Sequence, residues 1–343
     1  MSLVERLTAW GERTSLPDAI TRAAIAGLVW RTDRTLRDGP PGADAAFAAG
    51  MGRFPIAIHA EAANAQHYEL PPEFFAEALG PNRKYSSCYF DRPDATLAEA
   101  EERALALTMD HADLRDGQRV LELGCGWGSL SLAMARRFPS STIMAVSNSR
   151  PQRAHIEGVA AREGLANLTV VTADMNDFST PRRFDRVVSV EMFEHMANWR
   201  ALLTRIREWV EPDGRLFLHV FTHVDGCYRF DTGDRSDWIA QHFFTGGLMP
   251  SHGLVRQFSD LFTVEEDWRW SGEHYRLTAE HWLKNFDANL PRIDPILASI
   301  YGADADLWRR RWRLFFLATS GLFGHRGGSR WGVSHYRLSP VQD

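Results

Sequence analysis

The sequence Arg119–Gly128, RVLELGCGWG, is the best starting point for reading this chain. Its apolar run, Val120–Leu123, ends in a glycine-rich turn, and residues 129–138 beyond the turn have helical character. A buried parallel strand that leads through glycines into a helix is the nucleotide-binding unit of open α/β sheets. Glycine lets the backbone turn sharply and approach a ligand with no Cβ in the way. We therefore expect a ligand at this turn.

The spacing of the glycines narrows the choice of ligand. The pattern is G-x-G-x-G, and Ser129 stands where a dinucleotide fingerprint would have its third glycine, which disfavours NAD. Glu122, two residues before Gly124, fits the E/D-x-G-x-G-x-G turn that binds S-adenosylmethionine (SAM). The turn alone favours SAM, with other nucleotides as the alternative.

Strand-like and helix-like segments alternate around this turn. Strands are expected at 119–124, 141–147, 168–173, 184–191 and 214–222, with helices at 129–138, 150–163 and 198–210. This rhythm predicts a doubly wound parallel sheet with its ligand at the carboxyl ends of the strands. Further on, 262–270 and 332–338 are expected to be strands, and 278–323 is expected to be helical.

The segment before the core is expected to be helical, with Leu3, Leu7 and Trp10 on one helix face and a loop at 37–43. Four segments follow from this organisation. They are an N-terminal helical extension (1–58), a helical cover over the cofactor (59–113), a Rossmann-like core (114–223) and an aromatic-rich substrate-binding portion with the closing strands (224–343).

Composition excludes several classes of protein. A net charge of −5 over 343 residues argues against nucleic acid as a partner, because binding phosphates requires concentrated basic surface. Three cysteines without a CxxC pair indicate a reducing compartment, with neither a disulfide framework nor a metal site. The first residues resemble no signal peptide, and no apolar window is long enough to span a membrane. We therefore predict a cytoplasmic protein.

Several motifs in order carry a family resemblance. They are YSSCYF at 85–90, the glycine turn, EMFEHM at 191–196 and GEHYRLTAEHW at 272–282. Over about residues 59–338 the chain resembles the cyclopropane-fatty-acid-synthase superfamily of SAM methyltransferases, and within it the plant coclaurine N-methyltransferases. The resemblance implies SAM as cofactor and S-adenosylhomocysteine (SAH) as product. It also implies a class I Rossmann-like sheet of seven mostly parallel strands with the last antiparallel, a helical N-terminal cover and helical insertions in the C-terminal part.

The resemblance also implies a set of cofactor-binding residues. The glycine turn and Trp127 are expected to line the methionine part of SAM, and a hydroxyl and amides after the second strand are expected to bind the ribose in place of an acid. An acid and a methionine after the third strand would flank the adenine, and residues from the N-terminal segment would close over the methionine end. The full set is Tyr68, Tyr85, Ser86, Gly124, Gly126, Trp127, Ser147, Asn148, Gln152, Asp174 and Met175.

The motif EMFEHM follows an apolar strand, which places it at the ligand edge of the sheet. From the residues alone it is equally well a solvated loop or a helix cap. By the same standard His219, in the apolar run LFLHVF, is an ordinary core residue and Tyr275 is structural. In lipid-modifying members of the superfamily, however, the residues matching Glu194, His219 and Tyr275 hold a bicarbonate that acts as the base.

The fourth member of that bicarbonate set is a cysteine, and Ser87 occupies its position here, with Cys88 one residue late. This departure disfavours cyclopropanation without excluding it. For an amine acceptor, we expect Glu194 and His195 to be the base and its orienting partner, with Glu191 facing a cationic substrate. Positioning is expected to lower the barrier by roughly 7–11 kcal/mol and the base by roughly 3–5 kcal/mol.

The leading prediction is a SAM-dependent methyltransferase that N-methylates a small amine. The alternative is C-methylation or cyclopropanation of an unsaturated acyl chain in phospholipid, and a catalytically silent SAM-binding protein is a third hypothesis. Aromatic residues after 224 are expected to hold the acceptor or to pack in the core; they are Tyr228, Phe230, Trp238, Phe243, Phe244, Trp268 and Trp270. We expect 308–322, WRRRWRLFFLATSGL, to be a helix packed on the sheet. Peripheral membrane contact and a homodimer stay open.

Overall fold

The computed structural model describes residues 12, 14, 16–58, 70–230, 232–233 and 237–342. The predictions for Leu3, Leu7, Trp10 and Tyr68 lie outside the described residues. Seven strands form the main sheet: β1 Arg119–Leu123, β2 Thr142–Ser147, β3 Leu168–Thr172, β4 Phe184–Val190, β5 Val210–His223, β6 Phe262–Ser271 and β7 Trp331–Pro340. A short separate pair joins Tyr228–Arg229 to Leu248–Met249.

The order of strands in the main sheet is β3-β2-β1-β4-β5-β7-β6. The first five strands are parallel, and β7 runs antiparallel to both of its neighbours, β5 and β6. This arrangement confirms the predicted fold class. The expected strands lie within about two residues of the observed ones, except that β5 begins earlier, at Val210.

Helices cover both faces of the sheet. They are α1 Asp18–Arg37, α2 Ala43–Met51, α3 Pro72–Ala78, α4 Leu97–His111, α5 Ser129–Arg137, α6 Arg150–Glu163, α7 Trp199–Trp209, α8 Trp238–His242, α9 Gly272–Ala288, α10 Leu290–Tyr301 and α11 Ala305–Phe323. Helix α4 starts with a capping box, in which the Thr96 and Glu99 side chains bond to each other's backbone N–H groups. The predicted helical stretch 278–323 is thus three helices.

Ion pairs attach α1 to the C-terminal helices and strands. Asp18 pairs with Arg313 of α11 at 2.5 Å, and Arg22 pairs with Glu280 of α9 at 2.6 Å. Farther along α1, the buried Asp33 accepts a 2.6 Å hydrogen bond from Arg330, just before β7. Part of the N-terminal extension is therefore tied to the elements that complete the sheet.

The basic and apolar segment 308–322 forms most of α11. Its main neighbours are the helices α9, α1 and α10, with a smaller contact on β7, so it packs in a helical layer rather than chiefly on the sheet. Trp312 is fully buried in this layer. Arg311 and Arg313 are paired with carboxylates, which neutralises much of the basic end.

In the part of the chain that the structure describes, no helix is long and apolar enough to cross a membrane. The thiols of Cys88, Cys125 and Cys227 form no disulfide.

We predict that the start of α9 tolerates no side chain at Gly272. A Cβ there would lie 2.2 Å from the Phe323 carbonyl oxygen and 2.3 Å from that of Trp331. Gly272→Ala should lower the free energy of unfolding by about 1–3 kcal/mol, measured by denaturant titration. The matched control is Gly158→Ala inside α6, where the nearest atom is 3.5 Å away and belongs to a flexible Arg162 side chain. That variant should gain about 0.5–1 kcal/mol; equal effects of the two changes would contradict the packing described here.

Candidate active site

A cleft partly open to solvent lies at the carboxyl ends of β1, β2, β3 and β4. It is lined by most of the predicted cofactor residues: Tyr85, Ser86, Gly124, Gly126, Trp127, Ser147, Asn148, Gln152, Asp174 and Met175. Glu191 and His195 line the same cleft. Its position is the one that open α/β sheets use for ligands.

The glycine turn leaves β1 in a conformation that requires glycine. Gly124, Gly126 and Gly128 all have positive φ, at 79°, 51° and 84°. A Cβ on Gly124 would also lie 2.5 Å from Met192 Cγ, so this glycine lets the loop after β4 approach the turn. A Cβ on Gly128 would lie 2.5 Å from Ile156 of α6.

Glu122 lies beneath this turn and is fully buried. The Ser131 hydroxyl of α5 donates a hydrogen bond to its carboxylate. Burial raises the pKa of Glu122 to about 7, and the bond from Ser131 offsets part of that rise. The pair links the end of β1 to the helix that follows it, and Glu122 also lines the cleft.

The far end of the cleft has the polar groups expected for a ribose. The Ser147 hydroxyl donates to Gln152 Oε1 at 2.7 Å, which leaves the amide Nε2 of Gln152 buried and without a partner among the described residues. A buried donor of this kind is costly unless a ligand accepts from it. Asp174 and Met175 lie beside it, with Asp174 accepting from the Asn176 N–H at 2.7 Å.

The near end of the cleft is formed by Trp127 and the segment before α4. The Trp127 ring packs 4.9 Å from Phe75 of α3, and its indole N–H has no partner among the described residues. Ser86 is held by Lys84, whose Nζ donates to the Ser86 hydroxyl at 2.5 Å. Apolar walls, glycine backbone and two unpartnered N–H donors fit an adenosyl and methionine ligand, so these residues suit SAM.

Glu191 is the centre of the hydrogen-bond network at the cleft. Its Oε1 accepts from the Ser87 backbone N–H at 2.9 Å and lies 3.2 Å from His219 Nε2, while its Oε2 accepts from the Tyr275 hydroxyl at 2.7 Å. The residue has a φ of 47°, which is rare outside glycine, and its own N–H donates to the His219 carbonyl at 2.8 Å. Three separate parts of the chain thus fix one carboxylate.

Burial disfavours the charged forms of Glu191 and His195, the two acid–base groups that line the cleft. Burial raises the pKa of Glu191, and the Lys84 ammonium and the bonds from Ser87 and Tyr275 offset part of the rise. Burial lowers the pKa of His195 to about 4, against the opposite influence of Glu191. His195 is therefore neutral near pH 7, and Glu191 is a stronger base than an exposed carboxylate.

The prediction that Glu194 acts directly as the base is not supported by its position. Glu194 is fully buried and is not among the described residues that line the cleft. Its Oε1 accepts from the Phe221 N–H at 2.6 Å, and its Oε2 has no described partner. Burial, together with the charge of Glu191, raises its pKa well above the ordinary value.

His219 and Tyr275 are also buried and are not among the described residues that line the cleft. Each of them contacts the carboxylate of Glu191, which does line it. Ser87 contributes its backbone N–H to Glu191, and its hydroxyl donates instead to the Cys88 carbonyl at 3.1 Å. Burial raises the pKa of Cys88 to about 12, so this thiol is inert.

Of the aromatic residues after 224, Phe244 lies beside the acid–base groups, with its ring centroid 4.3 Å from that of His195. Phe230 packs on Phe244 with ring centroids 4.8 Å apart, and neither ring is among the described residues that line the cleft. Phe243 and Trp270 are buried core residues, as the alternative interpretation expected. Residue 231 and residues 234–236, in the same segment, lie outside the described chain.

Three residues at or near this site were not identified from the sequence: Lys84, Arg83 and His335. Lys84 is fully buried beside Ser86 and Ser87, and Arg83 lines the cleft. His335 of β7 lies behind His219, with its Nε2 2.8 Å from His219 Nδ1. The basic pair directly before YSSCYF could have indicated Arg83 and Lys84 from the sequence. His335 is revealed only by the register of β7 against β5.

The mostly parallel sheet and the cleft at its carboxyl edge are typical of a SAM-binding enzyme, and comparisons with known proteins point to the same class. The coclaurine N-methyltransferase crystal structure with N-methylheliamine and SAH has a TM-score of 0.90 and 33% identity, covering 94% of this chain and 96% of that one. The (S)-coclaurine N-methyltransferase of Thalictrum flavum subsp. glaucum is 38% identical over 285 residues, 82% of this chain and 79% of the relative. The cyclopropane-fatty-acyl-phospholipid synthase of Escherichia coli K12 is 30% identical over 270 residues, 78% and 66% of the two chains.

This protein is a SAM-dependent methyltransferase. The model of the mycolic acid cyclopropane synthetase family matches residues 57–326, and the chain belongs to that family. The resemblance found in the sequence motifs is confirmed.

We predict that Gly124→Ala weakens SAH binding at least tenfold by isothermal titration calorimetry, because its Cβ displaces Met192 into the cleft. Gly117→Ala is the matched control. Gly117 has a similar φ of 88° but open space around its Cβ, so it carries the same backbone strain, roughly 1–2 kcal/mol, away from the cleft. Equal SAH affinity in the two variants would show that the approach of Met192 to the turn does not shape the cofactor site.

Proposed function

We propose that this methyltransferase N-methylates a small amine, with Glu191 as the base that takes the ammonium proton. The observation that carries the proposal is the position of the Glu191 carboxylate, on the cleft wall and at the meeting point of Ser87, His219 and Tyr275. SAM supplies an electrophilic methyl group on its sulfonium. The protein must then hold an amine nitrogen in line and remove its proton.

The same position weighs against the lipid alternative. His219 and Tyr275 were expected to hold a bicarbonate, but both are engaged with the carboxylate of Glu191. The chain therefore has its own fixed base where the lipid-modifying mechanism needs a bound anion. Ser87, which replaces the cysteine of that set, also turns its hydroxyl to the backbone.

His195 has a complementary role in the proposal. Its ring lines the cleft and is neutral near pH 7, since burial lowers its pKa to about 4. A neutral imidazole can hydrogen-bond an amine without repelling an ammonium group, and so can orient the nitrogen. Phe244 packs beside His195 with Phe230 on its other side, and aromatic surroundings of this kind suit an acceptor that carries an aromatic ring.

The relatives support an amine acceptor. The (S)-coclaurine N-methyltransferases of two plants are 38% and 36% identical to this chain. Positioning is expected to contribute more than the base, roughly 7–11 kcal/mol against roughly 3–5 kcal/mol. A variant that loses the base should thus keep measurable activity.

We also propose a dissolved acceptor in the cytoplasm rather than a lipid at a bilayer. The paired arginines of α11 leave little free positive charge to attract an anionic membrane, and the three unpaired thiols fit a reducing compartment. A homodimer stays a prediction.

The proposal predicts a clear difference between two isosteric variants. Glu191→Gln should lower kcat by about 10²–10⁴-fold, because it removes the base, and should leave SAH affinity unchanged. Glu194→Gln should change kcat less than about threefold, since Glu194 does not line the cleft and Gln can still accept from the Phe221 N–H. The assay is mass spectrometry of acceptors after incubation with methyl-labelled SAM, with an amine panel and unsaturated phospholipid vesicles in parallel.

The sign of the pH dependence follows from the role of Glu191. The base acts as a carboxylate, so kcat/KM should fall as the pH drops through its raised pKa. Label in the acyl chain instead of an amine would overturn the proposal, and so would a larger loss in Glu194→Gln than in Glu191→Gln.

A further inference from the structure

Behind Glu191, three histidines form a continuous hydrogen-bonded row. His219 Nε2 lies 3.2 Å from Glu191 Oε1, and His219 Nδ1 lies 2.8 Å from His335 Nε2. His335 Nδ1 in turn lies 2.8 Å from His111 Nδ1. The row uses both ring nitrogens of His219 and His335.

Strand register creates this row. His219 of β5 is paired directly with His335 of β7, and His335 is paired with Trp268 of β6. His111, the last residue of α4, stacks on Trp268 with ring centroids 3.9 Å apart and planes 6° apart. The row therefore runs across the sheet, away from the cleft.

The environment changes along the row. His219 and His335 are fully buried, and the Trp270 ring lies 5.3 Å and 4.3 Å from their rings. His111 is only partly buried. The row thus joins a closed interior to the protein surface.

We propose that His219, His335 and His111 form a relay that carries the proton taken up by Glu191 through the sheet to solvent. This inference rests on the proposed amine methylation, which releases one proton for each methyl group transferred. An acceptor in the cleft covers the other side of Glu191, so the relay gives the proton a separate exit.

The transfer starts once Glu191 is protonated, with hydrogen on His219 Nδ1, His335 Nδ1 and His111 Nε2, so that His219 Nε2 accepts from Glu191. Every ring is neutral at the start and at the end. A proton moves from Glu191 Oε1 to His219 Nε2, and the hydrogen on His219 Nδ1 moves to His335 Nε2. The hydrogen on His335 Nδ1 moves to His111 Nδ1, and the one on His111 Nε2 passes to water. Glu191 is again a carboxylate and one proton has left. The rings end with hydrogen on His219 Nε2, His335 Nε2 and His111 Nδ1, and His219 Nε2–H now donates to the ionised Glu191. The rings must then reorient to present their N–H groups outward again before the next turnover, because passing the hydrogens back along the same bonds would reverse the transfer.

Charges along the row favour outward movement. Burial lowers the pKa of both His219 and His335 well below the ordinary value, and the positive charge of Lys84 acts in the same direction. Burial also lowers the pKa of His111, but Glu266 and Asp110 oppose that shift, while Arg337 and Arg103 add to it. A proton is therefore least stable in the interior and is attracted to the carboxylates at the outer end.

The test uses the full chain with SAM and an amine that it methylates, in dilute buffer. His111→Phe keeps an aromatic ring on Trp268 but removes both nitrogens. It should lower kcat on the order of tenfold, less than loss of the base, with KM and SAH affinity unchanged. The solvent deuterium isotope effect on kcat should rise. Added imidazole should restore the rate of His111→Ala.

A matched control and a double variant separate the relay from packing. His281→Phe changes another partly buried histidine, which stacks on Phe90 away from the row, and should behave as wild type. The variant with both His111→Phe and His335→Gln should be no slower than the slower single variant, because both changes break one path. Losses that multiply, or a wild-type rate and isotope effect in His111→Phe, would overturn the relay.

A second measurement is independent of turnover. In protein with ¹⁵N-labelled histidine, scalar couplings across the two N–H···N bonds should be visible by NMR and should disappear in His335→Gln. Their absence from the wild-type protein would overturn the relay. Failure to methylate any amine, with the couplings intact, would count against the proposed function alone.

Discussion

A carboxylate that is largely removed from water persists only where hydrogen bonds replace its lost hydration, and Glu191 on the wall of the cleft meets that condition. The Ser87 N–H, His219 and Tyr275 provide the bonds. They come from the loop before α4, from β5 and from α9, so the carboxylate is correctly placed only when the N-terminal cover, the parallel sheet and the C-terminal helices are assembled. The positive φ of Glu191 is held by the same assembly.

The C-terminal part thereby contributes hydrogen bonds to a site whose sequence motifs lie mostly in the Rossmann-like core. Helix α9 delivers Tyr275, and its first residue, Gly272, lies against the carbonyls of Phe323 and Trp331. Strand β7 places His335 opposite His219. The helix α1 is tied to the same elements through Arg313, Glu280 and Arg330. Glu191, its hydrogen-bond donors and the histidine row behind it are thus one connected structure.

The architecture was predictable because its signals are local. A glycine turn after an apolar strand, and alternation of strand and helix, each depend on a few neighbouring residues, and the resemblance of later motifs added the antiparallel last strand. The choice between Glu191 and Glu194 was not predictable in this way. The two lie three residues apart around a single 3₁₀ turn, Phe193–His195, and only the fold shows which carboxylate faces the cleft. The pairing of His219 with His335 depends on the register of an antiparallel strand more than a hundred residues away, which no local pattern encodes.

The most direct test of this account is an infrared difference spectrum of the SAH-loaded protein as an ammonium acceptor binds, recorded for wild type and for Glu191→Gln. If Glu191 takes the acceptor's proton, a carboxylic acid C=O band should appear in the wild-type protein and be missing from Glu191→Gln. A band that appears equally in both proteins, or a Glu191 carboxylate that stays ionised once the acceptor has bound, would contradict the central claim that Glu191 is the base.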